Sequence, residues 1–525
     1  MNLSPQHRTA GPTGQHRTAG PADQHRSVGP TGQHPTRRHA PLHLTSVQND
    51  RAAGVLLGQA CGDALGVPYE FGSARLDPTT GPRMVGGGLG GYAPGEWSDD
   101  TQMAVAVAEV AATGADLTDA EGLEQVAAGF LRWYADGPAD IGVQTRRVLG
   151  DRDRRPGPDH EVLRALAAGL HERTGRTAGN GALMRTAVVG LTRLDDRDAT
   201  ATAARAVAEL THADPVAGDS CVLWSEAVRR AVLDGVLDVA GGLDLLPQER
   251  PTWWAERLQE AQVQAPESFA GNGWTVTALQ AAWSAIWHTR EESAGPAHVV
   301  AAIERAIGIG HDTDTVAAIA GGLLGARYGT SALPFAWTRA VHGWPGLRAR
   351  GLVHLAVRTA HRGRRGAQGW PGVARMDDGR QRRRAVPLPS DPDVLLGTFA
   401  DLGRVRELGV DAVVSLCRLG EEEHAPAPVA PRDHAEVWLV DSDDPDSHQH
   451  LRFSLDDAAG AVVTLRSEGR RVLLHCVAAH HRTPAVALRY LRARGMERSA
   501  ARAEVTTVLG REEIGGLLWQ EACRD

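Results

Sequence analysis

The sequence contains no lysine, so all 56 of its Lys-or-Arg positions are arginine. Set against 64 acidic residues, they leave a formal net charge of −8. A mildly acidic chain carries no broad electrostatic footprint for a phosphate backbone, which argues against nucleic-acid binding. Cysteine is scarce: Cys61, Cys221, Cys417, Cys476 and Cys523 are odd in number and far apart. That excludes a disulfide framework and fits a reducing compartment, so a cytoplasmic protein is expected. No run of 18 apolar residues occurs, so no membrane span is expected. The polar N-terminus lacks the apolar core of a secretory signal. Cysteine–histidine clusters are also missing, which makes zinc a poor fit.

What is present is a 525-residue chain with 42% hydrophobic residues, enough for two to four domains. Residues 1–47 read as a disordered tail. QHRTAGPTG, QHRTAGPAD and QHRSVGPTG start at Gln6, Gln15 and Gln24, and a broken copy starts at Gln33. A tract so poor in apolar residues cannot offset its ordering entropy. Residues 48–360 read as one all-α domain: Ala-, Val- and Leu-rich amphipathic stretches alternate with Gly, Pro and Asp breaks, and no alternating strand stands out. An Arg-, Gly- and Pro-rich linker is expected over 361–388. Over 389–525, DAVVSLCRL, AEVWLVD and RRVLLHC read as strands, with LDDAAGAVVTLRSEG and TPAVALRYLRARG as helices. Strands alternating with helices predict a small α/β domain with a mainly parallel sheet.

Two acidic clusters stand at predicted helix starts. Gly54, Gly58, Gly62 and Gly66 recur every fourth residue, which predicts a close helix–helix seam, braced by Asp63. Beyond it, Glu70 is expected to stand exposed on a turn. Ser98, Asp99, Asp100 and Thr101 open a helical run, and Asp312, Asp314 and Thr315 open another some 210 residues later. Each cluster alone is an ordinary N-terminal cap with acids in the first turn. Together their carboxylates and hydroxyls suit hard cations, which take about six oxygen ligands at about 2.0–2.1 Å. Two such ions could sit about 3.5–4 Å apart. Gly179-Asn180-Gly181 offers flexible backbone and an amide for close approach to a ligand, and His212 stands before another helix start.

GQACGDALGVPYEF, GEWSDDTQMA, GNGALMR, THADP and GHDTDTVAAIAGGLLGA occur in the order seen in ADP-ribosylglycohydrolases, which this region resembles. The resemblance implies an all-α fold, two magnesium (or manganese) ions, and hydrolysis of a glycosidic bond to ADP-ribose. Carried over by position, it implies metal ligands at Ser98, Asp99, Asp100, Asp312, Asp314 and Thr315. Ser98 stands where the family usually has threonine. Glu70 takes the place of the family's mobile glutamate near the substrate, and Gly179, Asn180, Gly181 and His212 would line the ADP-ribose cleft. Either Asp100 or Glu70 can serve as general acid or base.

A second constellation lies in HCVAAHHRTP. Cys476 and Arg482 are separated by five residues, with a hydrophobic strand before them and a helix after. Such a loop turns backbone N–H groups toward an oxyanion and favours a thiolate nucleophile. Arg482 can grip phosphate with two donors. The region resembles the dual-specificity branch of the protein-tyrosine phosphatases, which implies a general-acid aspartate in VWLVDSDDPD. Asp441, four residues before Pro445, fits that role, with Asp443 and Asp444 as rivals. The family loop prefers glycine where Ala479 stands and glycine or serine where His481 stands.

The leading expectation is a magnesium-dependent hydrolase of ADP-ribosylated protein or small molecules, with a phosphate-binding module that could take a phosphorylated ligand. Two other readings stay open. One is a protein that binds ADP-ribose or phosphate without turnover. The other is a phosphatase targeted by its helical domain.

Overall fold

In the computed structural model, residues 43–364, 385–420 and 428–524 are described. The N-terminal repeats and most of the expected linker lie outside them. The first helix begins inside the expected tail. Helix α1 spans Ser46–Gly66, and Thr45 caps it in a reciprocal box with Gln48. It is buried on nearly every side from Ala52 onward, as a central helix must be.

The glycine spacing of α1 determines what packs against it. Helix α2 spans Asp99–Ala111, α3 Pro215–Asp234, α4 Thr275–Thr289, α5 Thr313–Tyr328 and α6 Ala349–Ala360. Bare glycine faces let α1 and α5 approach backbone to backbone. A Cβ on Gly54, Gly58 or Gly62 would stand 2.3, 2.4 or 2.1 Å from the carbonyl oxygen of Gly325, Gly321 or Ala317. At Gly66 it would stand 2.4 Å from Asp314 Cα. The seam therefore delivers the end of α1 directly to the start of α5. One strand pair interrupts the region expected to be purely helical: His342–Gly343 pairs antiparallel with Leu347–Arg348.

The α/β part contains the three expected strands and two others. Strand β1 is Val386–Leu388, β2 Asp391–Thr398, β3 Ala412–Ser415, β4 His434–Glu436 and β5 Val472–Cys476. Their order is β1-β2-β5-β3-β4, with β1 antiparallel to β2 and the other pairs parallel. Pro387 and Pro392 gave β1 and the start of β2 the look of a linker. Proline is tolerated on an edge strand and at a strand start, which is where the two fall. Val394, Leu396, Val414, Val472 and Leu474 face one core, while Leu395, Val413 and Leu473 face another. Helix α7, Leu451–Ser467, and helix α8, Arg482–Ala493, cover the first of these faces.

The helical and α/β parts, read from sequence as two domains, form one compact unit from His43 onward. Phe335 of the helical part is built into the α/β core. Its amide donates to Asp457 of α7, and Arg339 bonds Asp433 and Glu468. A cavity of about 590 Å³ lies along this junction, lined by residues such as Arg348, His354, Trp438 and Asp457. None of the candidate site residues lines it.

Candidate active site

The two acidic clusters converge. Carboxylate oxygens of Asp63, Asp100 and Asp314 lie within 4.8 Å of one another, and so do those of Glu70, Asp312 and Asp314. Asp314 is common to both groups. Asp99 belongs to neither, although its carboxyl feels Asp140, Asp63 and Asp312. Glu70 is 4% exposed, which corrects the expectation of an exposed carboxylate. The glycine seam draws the turn after α1 under α5, and the Phe71 amide donates to His311 O at 2.6 Å.

Hydrogen bonds fix the site from behind. Asp63 accepts from the amides of Ser98 and Thr101, at 2.9 and 3.0 Å, and from the Thr101 hydroxyl at 2.6 Å. It thus caps α2 from a neighbouring helix, satisfying amides that a helix start leaves open. Ser98 donates to Asp100 Oδ2 at 2.8 Å, and Thr315 donates to the same oxygen at 3.3 Å. The Asn180 amide donates to Asp312 Oδ2 at 2.7 Å. His212 lies beneath the glycine loop: a Cβ on Gly181 would stand 3.2 Å from its ring. Burial pushes that imidazole down to about 3 and keeps it neutral, with Nδ1 2.7 Å from the Thr211 hydroxyl.

Asn272, for which no role was expected, and Asp63, expected to brace the seam, complete this framework. Asn272 accepts from the Asp312 amide at 3.1 Å and donates to Gly310 O at 3.0 Å. Its own carbonyl accepts from Asn180. The signal was visible, because Ala-Gly-Asn-Gly occurs at 178–181 and again at 270–273. Asp63 was assigned to seam packing, and its side chain serves the site instead.

The electrostatics are those of an acidic pocket awaiting positive charge. Burial and neighbouring carboxylates hold Asp99, Asp100 and Asp314 well above the usual range, and Glu70 is pushed up to about 8. Asp100 Oδ1, Asp314 Oδ1 and Glu70 Oε2 are buried without a hydrogen-bond partner. Buried carboxylates of this kind are costly unless paired or metal-bound. An all-oxygen donor set with orphaned carboxylate atoms fits hard divalent cations.

The cysteine loop is built at the carboxyl ends of β2, β3 and β5, where ligands of parallel sheets gather. Cys476 ends β5 and is 1% exposed. Ala479 takes φ +54°, the left-handed conformation that suits the glycine expected there. Arg482 opens α8, with Nη1 donating to Leu439 O at 3.3 Å and Nη2 3.2 Å from Asp441 Oδ2. His481 Nδ1 lies 2.9 Å from Asp441 Oδ1. Of the three candidate aspartates only Asp441 meets this loop. Asp443 accepts from the Leu517 amide, and Asp444 caps the turn at Pro445. Arg482 Nε and Thr483 Oγ1 are buried without partners.

The fold and site thus describe a helical hydrolase scaffold organised round one buried carboxylate pocket. Residues 44–367 match the ADP-ribosylglycohydrolase family, and the chain belongs to it. The match stops before the α/β part. The chain is similar to the ADP-ribosylarginine hydrolase Tri1 of Pseudomonas putida, at 30% identity over 299 residues, or 56% of this chain and 74% of that one. It is also similar to the ADP-ribosyl-[dinitrogen reductase] glycohydrolase of Rhodospirillum rubrum, at 26% identity over 55% of this chain and 89% of the other. A solved structure of an ADP-ribosylglycohydrolase-related protein complex aligns with a TM-score of 0.44 and 26% identity, covering 61% of this chain and 99% of that chain. The chain is therefore an enzyme that hydrolyses glycosyl bonds to ADP-ribose.

Proposed function

We propose that this enzyme releases ADP-ribose from modified arginine on protein, using two divalent cations of the magnesium type. The observation that carries the cation reading is Asp314, shared by two carboxylate trios in which Asp100 Oδ1, Asp314 Oδ1 and Glu70 Oε2 lack partners. Ser98, Asp99, Asp100, Asp312, Asp314 and Thr315 would hold the ions. When bound, such ions polarise ribose hydroxyls and orient a water. The protein itself positions these ligands through Asp63, Asn180 and Asn272. Gly179 and Gly181 leave room above His212 for the ADP-ribose. Asp100 or Glu70 moves the proton between water and leaving group as the oxocarbenium-like state forms and collapses. The names of the two relatives support arginine and protein as the acceptor class. The test is incubation of the full chain with an arginine-ADP-ribosylated protein, following released ADP-ribose by chromatography. Release should need added Mg²⁺ or Mn²⁺ and stop on chelation; release that continues in excess chelator would exclude the cation reading.

A second reading concerns the α/β part. Arg482 is 6% exposed, with an unpartnered Nε, and it closes the loop that starts at Cys476 on the strand end; this favours a site for a phosphate monoester dianion. Asp441, already in contact with Arg482 and His481, would be the proton donor. Titration with vanadate, an analogue of that dianion, tests the site directly.

A further inference from the structure

Arg185 is fully buried, yet it pairs with no carboxylate among the described residues. A guanidinium in that position is costly unless its donors are used. Arg185 ends the short turn Leu183–Arg185 that follows the glycine loop, and it stacks over the Phe130 ring at 4.5 Å. Nη1 donates back to Gly181 O at 3.1 Å. Nη2 donates to Val207 O at 3.3 Å and to the Thr211 hydroxyl at 2.7 Å. The guanidinium thus ties the glycine loop to the segment that carries His212.

The bond to Thr211 decides where a proton sits. Arginine only donates, so the Thr211 oxygen accepts from it. That hydroxyl is fully buried, and its own hydrogen still needs an acceptor. Its other partner among the described residues is His212 Nδ1, at 2.7 Å. Nδ1 is therefore the acceptor, and the neutral ring carries its hydrogen on Nε2. Gln144 braces the same segment, donating to Thr211 O at 2.9 Å. Nε2 faces the glycine loop: a Cβ on Gly179 or Gly181 would stand 3.5 or 3.4 Å from it. We infer that Arg185 and Thr211 are positioning residues that lock His212 as an Nε2–H donor, aimed past the bare faces of Gly179 and Gly181 at an oxygen of bound ADP-ribose. The locked tautomer stands on the hydrogen bonds alone, whereas its ligand rests on the function proposed above.

Two measurements on the full chain test this. Long-range proton–nitrogen spectra of histidine-labelled protein, with His212→Gln to assign the signals, report which ring nitrogen carries the hydrogen. Calorimetric titration with ADP-ribose in the presence of Mg²⁺ reports binding. The wild type should carry the hydrogen on Nε2 alone. Thr211→Val keeps the shape but lacks the hydroxyl; it should admit the Nδ1–H form and weaken ADP-ribose binding about tenfold, the size of one oriented hydrogen bond. Thr211→Ser should restore both readings. Arg185→Met should release the tautomer too, because the Thr211 oxygen is then free to accept from Nδ1–H. A merely structural role would lower the melting temperature of these variants and leave the tautomer as it is. A wild-type hydrogen on Nδ1, or an unchanged tautomer or affinity in Thr211→Val, would overturn the inference. A wild type with the expected tautomer that binds no ADP-ribose would overturn the donor role; if it also released none from modified protein, the proposed function would fall with it.

Discussion

The acidic pocket and the cysteine loop solve opposite problems of charge. The pocket gathers Glu70, Asp63, Asp100, Asp312 and Asp314, and leaves Asp100 Oδ1, Asp314 Oδ1 and Glu70 Oε2 unpartnered. The loop sets Arg482 and His481 against the carboxylate of Asp441, so its charge is already balanced. One site leaves acidic oxygens without a partner, and the other pairs its arginine with an internal carboxylate. The difference also has a local origin. The pocket is shaped by glycine at the positions where backbones touch, whereas the loop places alanine where glycine would cost nothing.

The largest effect should come from removing the shared carboxylate. Asp314→Ala is expected to lower ADP-ribose release by about a thousandfold or more, on the scale of losing a metal or a proton-transfer group. Calorimetry should show weaker Mg²⁺ binding with helical circular dichroism retained. Full activity in this variant would erase the contrast between the two sites.

Next in size is the seam. Helix propensity alone predicts that Gly58→Ala stabilises α1 by about 1 kcal/mol. The tertiary structure predicts the reverse, because the new Cβ meets Gly321 O at 2.4 Å. A loss of about 2 kcal/mol is expected from overpacking, read as a lower melting temperature. Hydrolysis should fall with it, while vanadate binding at the cysteine loop should hold.

A smaller change should appear when the internal carboxylate of the loop is removed. Asp441→Ala frees Arg482, so vanadate should bind about tenfold more tightly, the size of one ion pair's competition. Unchanged vanadate affinity would show that Asp441 does not compete. Smallest of all, Ala479→Gly relieves a left-handed alanine and should stabilise the protein by about 1 kcal/mol, seen as a small rise in melting temperature.

Much of the pocket was legible because its chemistry is concentrated in short segments. Ser98, Asp99 and Asp100 are contiguous, as are Asp312 to Thr315, and both precede apolar runs. Asn272 was overlooked because an amide that orients a carboxylate has no signature of its own beyond the repeated Ala-Gly-Asn-Gly. Glu70 was misplaced because a Pro-Tyr-Glu-Phe turn reads as surface; in the structure the neighbouring Phe71 amide ties that turn to His311. In the α/β part three of the parallel strands were clear from their apolar runs, whereas the fourth, Asp391–Thr398, was not read as a strand. The edge strand at Val386–Leu388 was hidden by its proline, and the junction through Phe335 had no local mark.

By itself the sequence determined the helical character of the first part, the alternating pattern of the second, and the residue types available for each site. Those features depend on neighbours a few positions apart, where periodicity and capping act. Only the tertiary structure decided which carboxylates meet, that Asp63 serves the site rather than the seam, that Asp441 and not Asp443 or Asp444 reaches Arg482, and that the two parts share a core. These are contacts between residues tens to hundreds of positions apart, set by how closely bare glycine backbones can approach and by where buried charge can be satisfied.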